Sequence, residues 1–98
     1  PIWITENGAA DNTPVADGAC DDRLRGNYMQ SHLAQLSQLV ASGIDIRGYY
    51  VWSLLDNFEW AHGYSQRFGV VHVDYSTQTR TPKQSARWLS ALMNSSGL

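Results

Sequence analysis

Residues 1–8 read PIWITENG, and residues 44–54 read IDIRGYYVWSL. Both runs are rich in β-branched and aromatic residues, a pattern typical of strands buried inside a sheet, and the first predicts a strand over 1–5. Between the two runs, residues 7–20 are rich in Gly, Asn, Asp, Pro and Ala, and they predict a long loop. A helical pattern follows that loop, so the order strand, helix, strand predicts a parallel sheet with a crossover helix.

The crossover helix is predicted from an apolar stripe that follows the loop. Asp21 or Asp22 can cap its first turn, and Gly43 stands where a left-handed stop ends a helix. The stripe recurs at three- and four-residue spacing. Its members are Tyr28, Met29, His32, Leu33, Leu36, Leu39 and Val40.

Three patterns follow the second predicted strand. Residues 55–66 mix polar and aromatic side chains without a clean period, and they predict a loop or irregular helix. Residues 67–81 alternate and then turn, which predicts a β-hairpin. Thr81 and Pro82 predict the start of a last helix, as cap and first position. The buried stripe predicted for that helix is Trp88, Leu89, Leu92 and Met93.

Composition bounds the function classes. The chain has 98 residues and a formal net charge of −2, without a basic cluster, which argues against a nucleic-acid partner. It lacks an apolar run long enough to cross a membrane. Cys20 is the single cysteine, which leaves no intrachain disulfide. His62 and His72 have no partner at metal spacing, and we expect neither a metal nor a cofactor.

Buried parallel strands need neighbours on both edges, and two strands cannot cover themselves. We therefore expect the chain to be part of a larger α/β sheet and incomplete on its own. Its abrupt start at Pro1 favours a truncated segment, and the compartment stays open.

The chemistry-bearing residues follow the two predicted strands. Glu6 ends the first strand, and residues 52–60, WSLLDNFEW, follow the second. Active sites of parallel α/β folds lie at the carboxyl ends of the strands, so we expect both stretches to lie together at the same end of the sheet. Indole faces stack on sugar rings, while carboxylates and amides bond to sugar hydroxyls. This combination predicts a carbohydrate site.

These motifs also carry a family resemblance. Residues 4–8 (ITENG), 52–60 (WSLLDNFEW) and 63–75 (GYSQRFGVVHVDY) resemble the C-terminal part of glycoside hydrolase family 1, the β-glucosidase family of retaining (β/α)8 barrels. The resemblance implies that residues 1–98 are the seventh and eighth β-α units of a TIM barrel, the C-terminal segment of a single catalytic domain. It implies hydrolysis of β-glucosides with retention, while the preference among glucosides, galactosides and fucosides stays open.

The resemblance also implies roles for five residues. Glu6 matches the catalytic nucleophile, and Trp52 matches an indole platform beneath the sugar. Glu59 matches a carboxylate that reads the O4 and O6 hydroxyls. Trp60 matches an indole that reads O3, and Phe68 matches an aromatic wall. Because a phosphate would be repelled by Glu59, an unphosphorylated glycoside is favoured.

A retaining mechanism needs two carboxyl groups, and the family's acid/base motif is absent from this sequence. The expected partner is therefore the N-terminal portion of the same barrel, and the expected ligand is a β-glycoside or oligosaccharide. Two alternatives remain: a catalytically inactive carbohydrate-binding barrel remnant, and a self-contained small α/β domain. Arg67 is expected to pair with a carboxylate near the site, and Asp56 and Asn57 are expected to cap their loop rather than touch sugar.

Overall fold

The fold consists of one parallel strand pair, whose strands are connected by a helix, and one antiparallel hairpin, which is followed by a second helix. It is known from a computed structural model that describes residues 1–95. In chain order the elements are β1 (Ile2–Asn7), α1 (Arg23–Ala41), β2 (Ile46–Val51), a 3-10 turn (Trp60–His62), β3 (Val71–Val73), β4 (Arg80–Pro82) and α2 (Gln84–Met93). The predicted long loop, crossover helix, irregular segment and hairpin are therefore confirmed.

The parallel pair places the carboxyl ends of both strands at one edge, as the sequence predicts. β1 and β2 are hydrogen-bonded neighbours, with Ile2 opposite Ile46 and Asn7 opposite Val51. The pairing continues beyond β2, because the Trp52 amide donates to the Asn7 carbonyl at 2.9 Å. This extra bond extends β1 two residues past the predicted end at Thr5. Glu6 thus lies within the last part of β1, one residue before its end, instead of closing the strand.

The expected full burial of the first strand is wrong for the described residues. Ile2 and Trp3 are 48% and 51% exposed, and Tyr50 on β2 is 55% exposed. Trp3 and Tyr50 stack on each other with ring centroids 6.5 Å apart. Among residues 1–95, β1 and β2 form a sheet of only two strands, so neither strand is covered on all sides.

The capping of α1 also differs from expectation. Asp22 occupies the N-cap position, but its carboxylate makes no capping bond to α1. It accepts hydrogen bonds from the amide of Ser85 at 2.9 Å and from the Ser85 hydroxyl. Because Ser85 lies in the first turn of α2, Asp22 caps the other helix from a distance in sequence. The predicted stop is confirmed, since Gly43 follows the helix end with φ +98°.

The start of α2 lies two residues later than predicted. Thr81 and Pro82 belong to β4, where Thr81 pairs with His72 across the hairpin. Lys83 is the N-cap residue, and the helix begins at Gln84. The predicted stripe of α2 is half-buried at Trp88, Leu89 and Leu92 but exposed at Met93. Of the α1 stripe, Met29 and Leu33 are buried.

The most deeply buried side chains are mostly polar. The largest fully buried ones are Arg25, Lys83, Met29, Asp22 and Ser85. A buried charge is tolerated only when it is paired, so each of these charged side chains depends on its partner. Within residues 1–95, no helix combines the length and the apolar character that crossing a bilayer requires.

Gly8, just after β1, and Gly26, in α1, give a matched pair of substitutions that test the close approach of Gly8 to Trp52. A Cβ at Gly8 would lie 1.9 Å from the Trp52 carbonyl oxygen, whereas a Cβ at Gly26 meets nothing within 4 Å. We expect Gly8→Ala to destabilise, because Trp52 must move. We expect Gly26→Ala to stabilise by about 0.5–1 kcal/mol, because alanine favours a helix interior. Thermal unfolding of a soluble polypeptide that contains residues 1–98 measures both effects. Equal changes for the two variants would contradict the close approach at Gly8.

Candidate functional site

An open cavity of about 250 Å³ lies at the carboxyl ends of β1 and β2. Three of the five predicted site residues line it: Glu6, Trp52 and Phe68. The other lining residues are Asn7, Gly8 and Tyr28. One carboxylate residue and three aromatic residues therefore line this cavity.

Backbone bonds place Phe68 beside Trp52. The Ser53 amide donates to the Phe68 carbonyl at 2.9 Å, and the Val70 amide donates to the Ser53 carbonyl at 2.9 Å. These two bonds hold the chain after β2 alongside the segment before β3, which brings Trp52 and Phe68 to one cavity wall. The peptide bond between Trp52 and Ser53 is cis.

Glu59 and Trp60 lie on a closed turn next to that wall. The Glu59 amide donates to the Gly63 carbonyl at 2.7 Å, and the Gly63 amide donates to the Trp60 carbonyl at 3.0 Å. The Trp52 indole nitrogen donates to a Glu59 carboxylate oxygen at 3.4 Å. Trp60 does not line the cavity and is 79% exposed. The structure thus brings Glu59 to Trp52 and leaves Trp60 exposed, outside the lining of the cavity.

Behind Glu6, a hydrogen-bonded group fixes the neighbouring residue. The Tyr49 hydroxyl donates to the Asn7 side-chain oxygen at 2.7 Å, and the Asn7 amide nitrogen donates to the Tyr28 hydroxyl at 3.2 Å. Burial, with the nearby Tyr28 phenol, raises the pKa of Tyr49 to about 12, so Tyr49 stays a donor at neutral pH. Tyr28 belongs to the predicted apolar stripe of the crossover helix and Tyr49 to the second predicted strand, and no motif distinguishes either residue from a packing residue.

Asp56, three residues before Glu59 in the sequence, is the centre of a buried charge cluster. Its carboxylate accepts from Arg67 at 2.6 Å, from Lys83 at 2.9 Å and from the Gly69 amide at 3.0 Å. The Val73 amide adds a fourth bond at 3.3 Å. Burial would raise the pKa of Asp56, but the hydrogen bonds from Lys83 and Arg67 outweigh it and hold the pKa below its usual range.

Arg67 pairs with a carboxylate, as expected, and the carboxylate is that of Asp56. Asn57 caps its loop as expected, since its amide donates to the Ser53 hydroxyl at 3.0 Å and to the Leu55 carbonyl at 2.8 Å. Asp56 differs from the expectation, because its carboxylate accepts from donors outside its own loop. Lys83 is the residue that sequence reasoning missed here, and its only signal is a lysine where the start of a helix was predicted.

The chain is similar in sequence to known glycoside hydrolases. The family described as glycosyl hydrolase family 1 matches residues 1–98. β-Glucosidase A of Thermotoga maritima is 50% identical over 98 residues. A 6-phospho-β-galactosidase of Streptococcus equi subsp. zooepidemicus is 43% identical over 91 residues, or 93% of this chain and 19% of its own length.

The fold agrees with a solved relative. The structure of β-glucosidase from Thermotoga maritima in complex with castanospermine superimposes with a TM-score of 0.94 and 49% identity. The match covers 98% of this chain and 22% of that one. The chain thus spans about a fifth of the curated relatives that it matches, 22% for β-glucosidase A. Its two parallel strands correspond to a small part of a TIM barrel.

The buried cluster generates a stability prediction. Lys83→Met removes one cation from a fully buried pair with Asp56 and should destabilise by about 3–5 kcal/mol. Arg23→Met removes an exposed pair with Asp21 and should cost no more than about 1 kcal/mol. Chemical denaturation of a soluble polypeptide containing residues 1–98 compares the two. Similar small losses would show that the buried pair does not hold the fold.

The same cluster predicts acid sensitivity. Because the folded-state pKa of Asp56 is lowered, its ionised form stabilises the fold above the unfolded-state pKa of about 3.9. That contribution is lost as the pH falls through the lower folded-state pKa. We therefore expect the stability difference between wild type and Asp56→Asn to be largest near neutral pH and to shrink below about pH 4. Urea unfolding across this range measures it, and a difference independent of pH would contradict the ionised state of Asp56.

Proposed function

The chain belongs to glycosyl hydrolase family 1, and on that premise we propose that it is the nucleophile-bearing part of a retaining β-glucosidase. The observation that carries the proposal is that Glu6 shares one cavity with Trp52 and Phe68 at the carboxyl ends of parallel strands. A carboxylate facing a sugar-sized space with aromatic walls suits attack on an anomeric carbon. The 50% identity to a β-glucosidase supports the same reaction class.

In the proposed reaction a Glu6 carboxylate oxygen attacks the anomeric carbon of a β-glycoside. A glycosyl ester forms as the glycosidic bond breaks, and the leaving oxygen takes a proton from an acid. Water then attacks the anomeric carbon and gives a proton to the conjugate base of that acid, the ester bond breaks, and Glu6 is regenerated as a carboxylate. Two inversions at one carbon give net retention of configuration.

The acid belongs, in this proposal, to the rest of the barrel. Retaining enzymes place their two carboxyl groups about 5–5.5 Å apart, so the second one must come from a segment facing Glu6. We assign residues 1–98 to the seventh and eighth units, the C-terminal segment of a single catalytic domain. The N-terminal portion of the barrel is then the partner that completes the cavity. The exposure of Trp3 and Tyr50 supports this assignment, since further strands would cover them.

The sugar is recognised by the remaining predicted residues. Trp52 offers its indole face to the apolar side of the ring, and Phe68 closes the wall. Glu59, held by the Trp52 indole nitrogen, reads the O4 and O6 hydroxyls. Trp60, exposed at the rim, is placed to read O3 once the rest of the barrel and a substrate surround it.

A phosphorylated substrate is the second candidate, because a 6-phospho-β-galactosidase is 43% identical to this chain. Glu59 argues against it, since a carboxylate that reads O6 would repel a phosphate on that oxygen. The substrate favoured by this chain is therefore an unphosphorylated β-glucoside. Comparing hydrolysis of a chromogenic β-glucoside with that of its 6-phosphate distinguishes the two candidates.

A chimera tests the proposal directly. Residues 1–98 would replace the matching segment of Thermotoga maritima β-glucosidase A, which is 50% identical to them. We expect the chimera to hydrolyse a chromogenic β-glucoside. Glu6→Gln should lower kcat about 10³-fold or more, because the amide cannot form the ester. The matched control is Asp21→Asn, an exposed carboxylate at the start of α1, which should leave kcat unchanged.

A chimera that folds cooperatively by circular dichroism but does not hydrolyse the glucoside would contradict the proposal. If the sugar then still quenched tryptophan fluorescence, the chain would be an inactive carbohydrate-binding remnant. Normal turnover by the Glu6→Gln chimera would reject the nucleophile role alone.

A further inference from the structure

Arg67 contacts two residues, Asp56 and Tyr75, that adjoin the segment carrying Glu59. We define the Glu59 turn as residues 58–64, the closed turn that contains Glu59 and Trp60. Neither Glu59 nor Trp60 bonds to Arg67 directly. The guanidinium instead contacts one residue before the turn and one aromatic ring that supports its far end.

The first contact is the buried ion pair with Asp56. Arg67 donates to the Asp56 carboxylate at 2.6 Å and to the Val73 carbonyl at 2.9 Å. The Arg67 side chain is 20% exposed and that of Asp56 is 0% exposed, so the pair is largely shielded from water. Asp56 lies three residues before Glu59 in the sequence, which fixes where the turn begins.

The second contact is a ladder of aromatic rings. The Arg67 guanidinium carbon lies 4.8 Å from the centre of the Tyr75 ring. Tyr75 packs edge-on against Tyr64 at 4.7 Å between centroids, and Tyr64 packs against Phe58 at 5.6 Å. Phe58 and Tyr64 are the first and last residues of the Glu59 turn. The ladder therefore clamps the two ends of the turn together and connects them, through Tyr64, to Tyr75.

The backbone of Arg67 is itself anchored to the loop after β1. Its amide donates to the Asn12 side-chain oxygen at 2.8 Å. Its carbonyl accepts from the Asp11 amide at 3.0 Å and from the fully buried Arg25 guanidinium. The residue that holds the Glu59 turn is therefore fixed to the loop that follows Glu6.

We propose that Arg67 is a positioning residue, which sets the Glu59 turn relative to Glu6 by pairing with Asp56 and stacking on Tyr75. Arg67 does not line the cavity and acts only through Glu59. The inference rests on the proposed function, because it concerns how Glu59 reads the sugar. It predicts that loss of Arg67 weakens recognition of the hydroxyls that Glu59 contacts more than it weakens general turnover.

Arginine suits this position better than lysine. Its planar guanidinium can bond Asp56 and Val73 in its plane while its face stacks on Tyr75. A lysine keeps the charge but offers a single ammonium that cannot do both. Arg67→Lys is therefore expected to keep the ion pair and to lose part of the clamp.

The test is a double-mutant cycle in the chimera with Thermotoga maritima β-glucosidase A. The variants are Arg67→Met, Glu59→Gln and the double variant, with Arg87→Met on the exposed face of α2 as the matched control. The two substrates are a nitrophenyl β-glucoside and its 6-deoxy analogue, which lacks the O6 hydroxyl, one of the two assigned to Glu59. Circular dichroism melts follow the folding of each variant.

We expect Arg67→Met to lower kcat/KM about 10- to 100-fold on the glucoside and clearly less on the 6-deoxy analogue. In the Glu59→Gln background the same change should have little further effect, since the group it positions is already lost. Arg87→Met should change neither substrate. Equal losses on both substrates, or full additivity with Glu59→Gln, would overturn the inference while leaving the proposed function intact.

A second pair of variants covers a failure of Arg67→Met to fold. Tyr75→Leu removes the stacking ring without touching the buried ion pair, and Tyr75→Phe keeps the ring. We expect the selective loss on the glucoside from Tyr75→Leu and not from Tyr75→Phe. No selectivity in Tyr75→Leu would overturn the clamp. A folded wild-type chimera without hydrolysis would overturn the proposed function and this inference together.

Discussion

The buried carboxylate of Asp56 joins parts of the chain that are otherwise separate. Its oxygens accept from Arg67, from Lys83 and from two backbone amides, so it links the segment after β2, the hairpin and the start of α2. An ionised carboxylate out of water is stable only while such donors surround it. The site depends on this requirement, because Phe68 and the Glu59 turn are attached to the segments that supply the donors.

The same principle operates at the start of α1. Asp22 and Arg25 pair in the interior, and Asp22 also caps α2 through Ser85. The two charge clusters meet at Arg67, whose carbonyl accepts from Arg25. A chain with few fully buried apolar side chains is thereby tied together across long sequence separations. The carboxyl ends of β1 and β2 are held at fixed distance from the loops that surround the cavity.

Local patterns in the sequence predicted the elements but not their connections. Alternation and helical spacing identified both strands, both helices and the hairpin. The strand-end rule predicted that Glu6 and Trp52 share one cavity, whereas Phe68 was predicted only from the family resemblance. The partner of Asp22 was unpredictable because Ser85 is distant in sequence. Lys83 is the cap of α2 in place of Thr81, because Thr81 pairs with His72 in the hairpin. Burial of β1 was overestimated, since it depends on neighbours that two strands do not provide.

The most direct measurement of the central claim is covalent trapping of Glu6 in the chimera. A 2-deoxy-2-fluoro-β-glucoside with a good leaving group slows hydrolysis of the glycosyl ester more than its formation, so the ester accumulates. Peptide mapping by mass spectrometry should find one sugar attached to the peptide that contains Glu6, and none in Glu6→Gln. A folded and active chimera that carries the sugar on another residue, or carries none, would contradict Glu6 as the nucleophile.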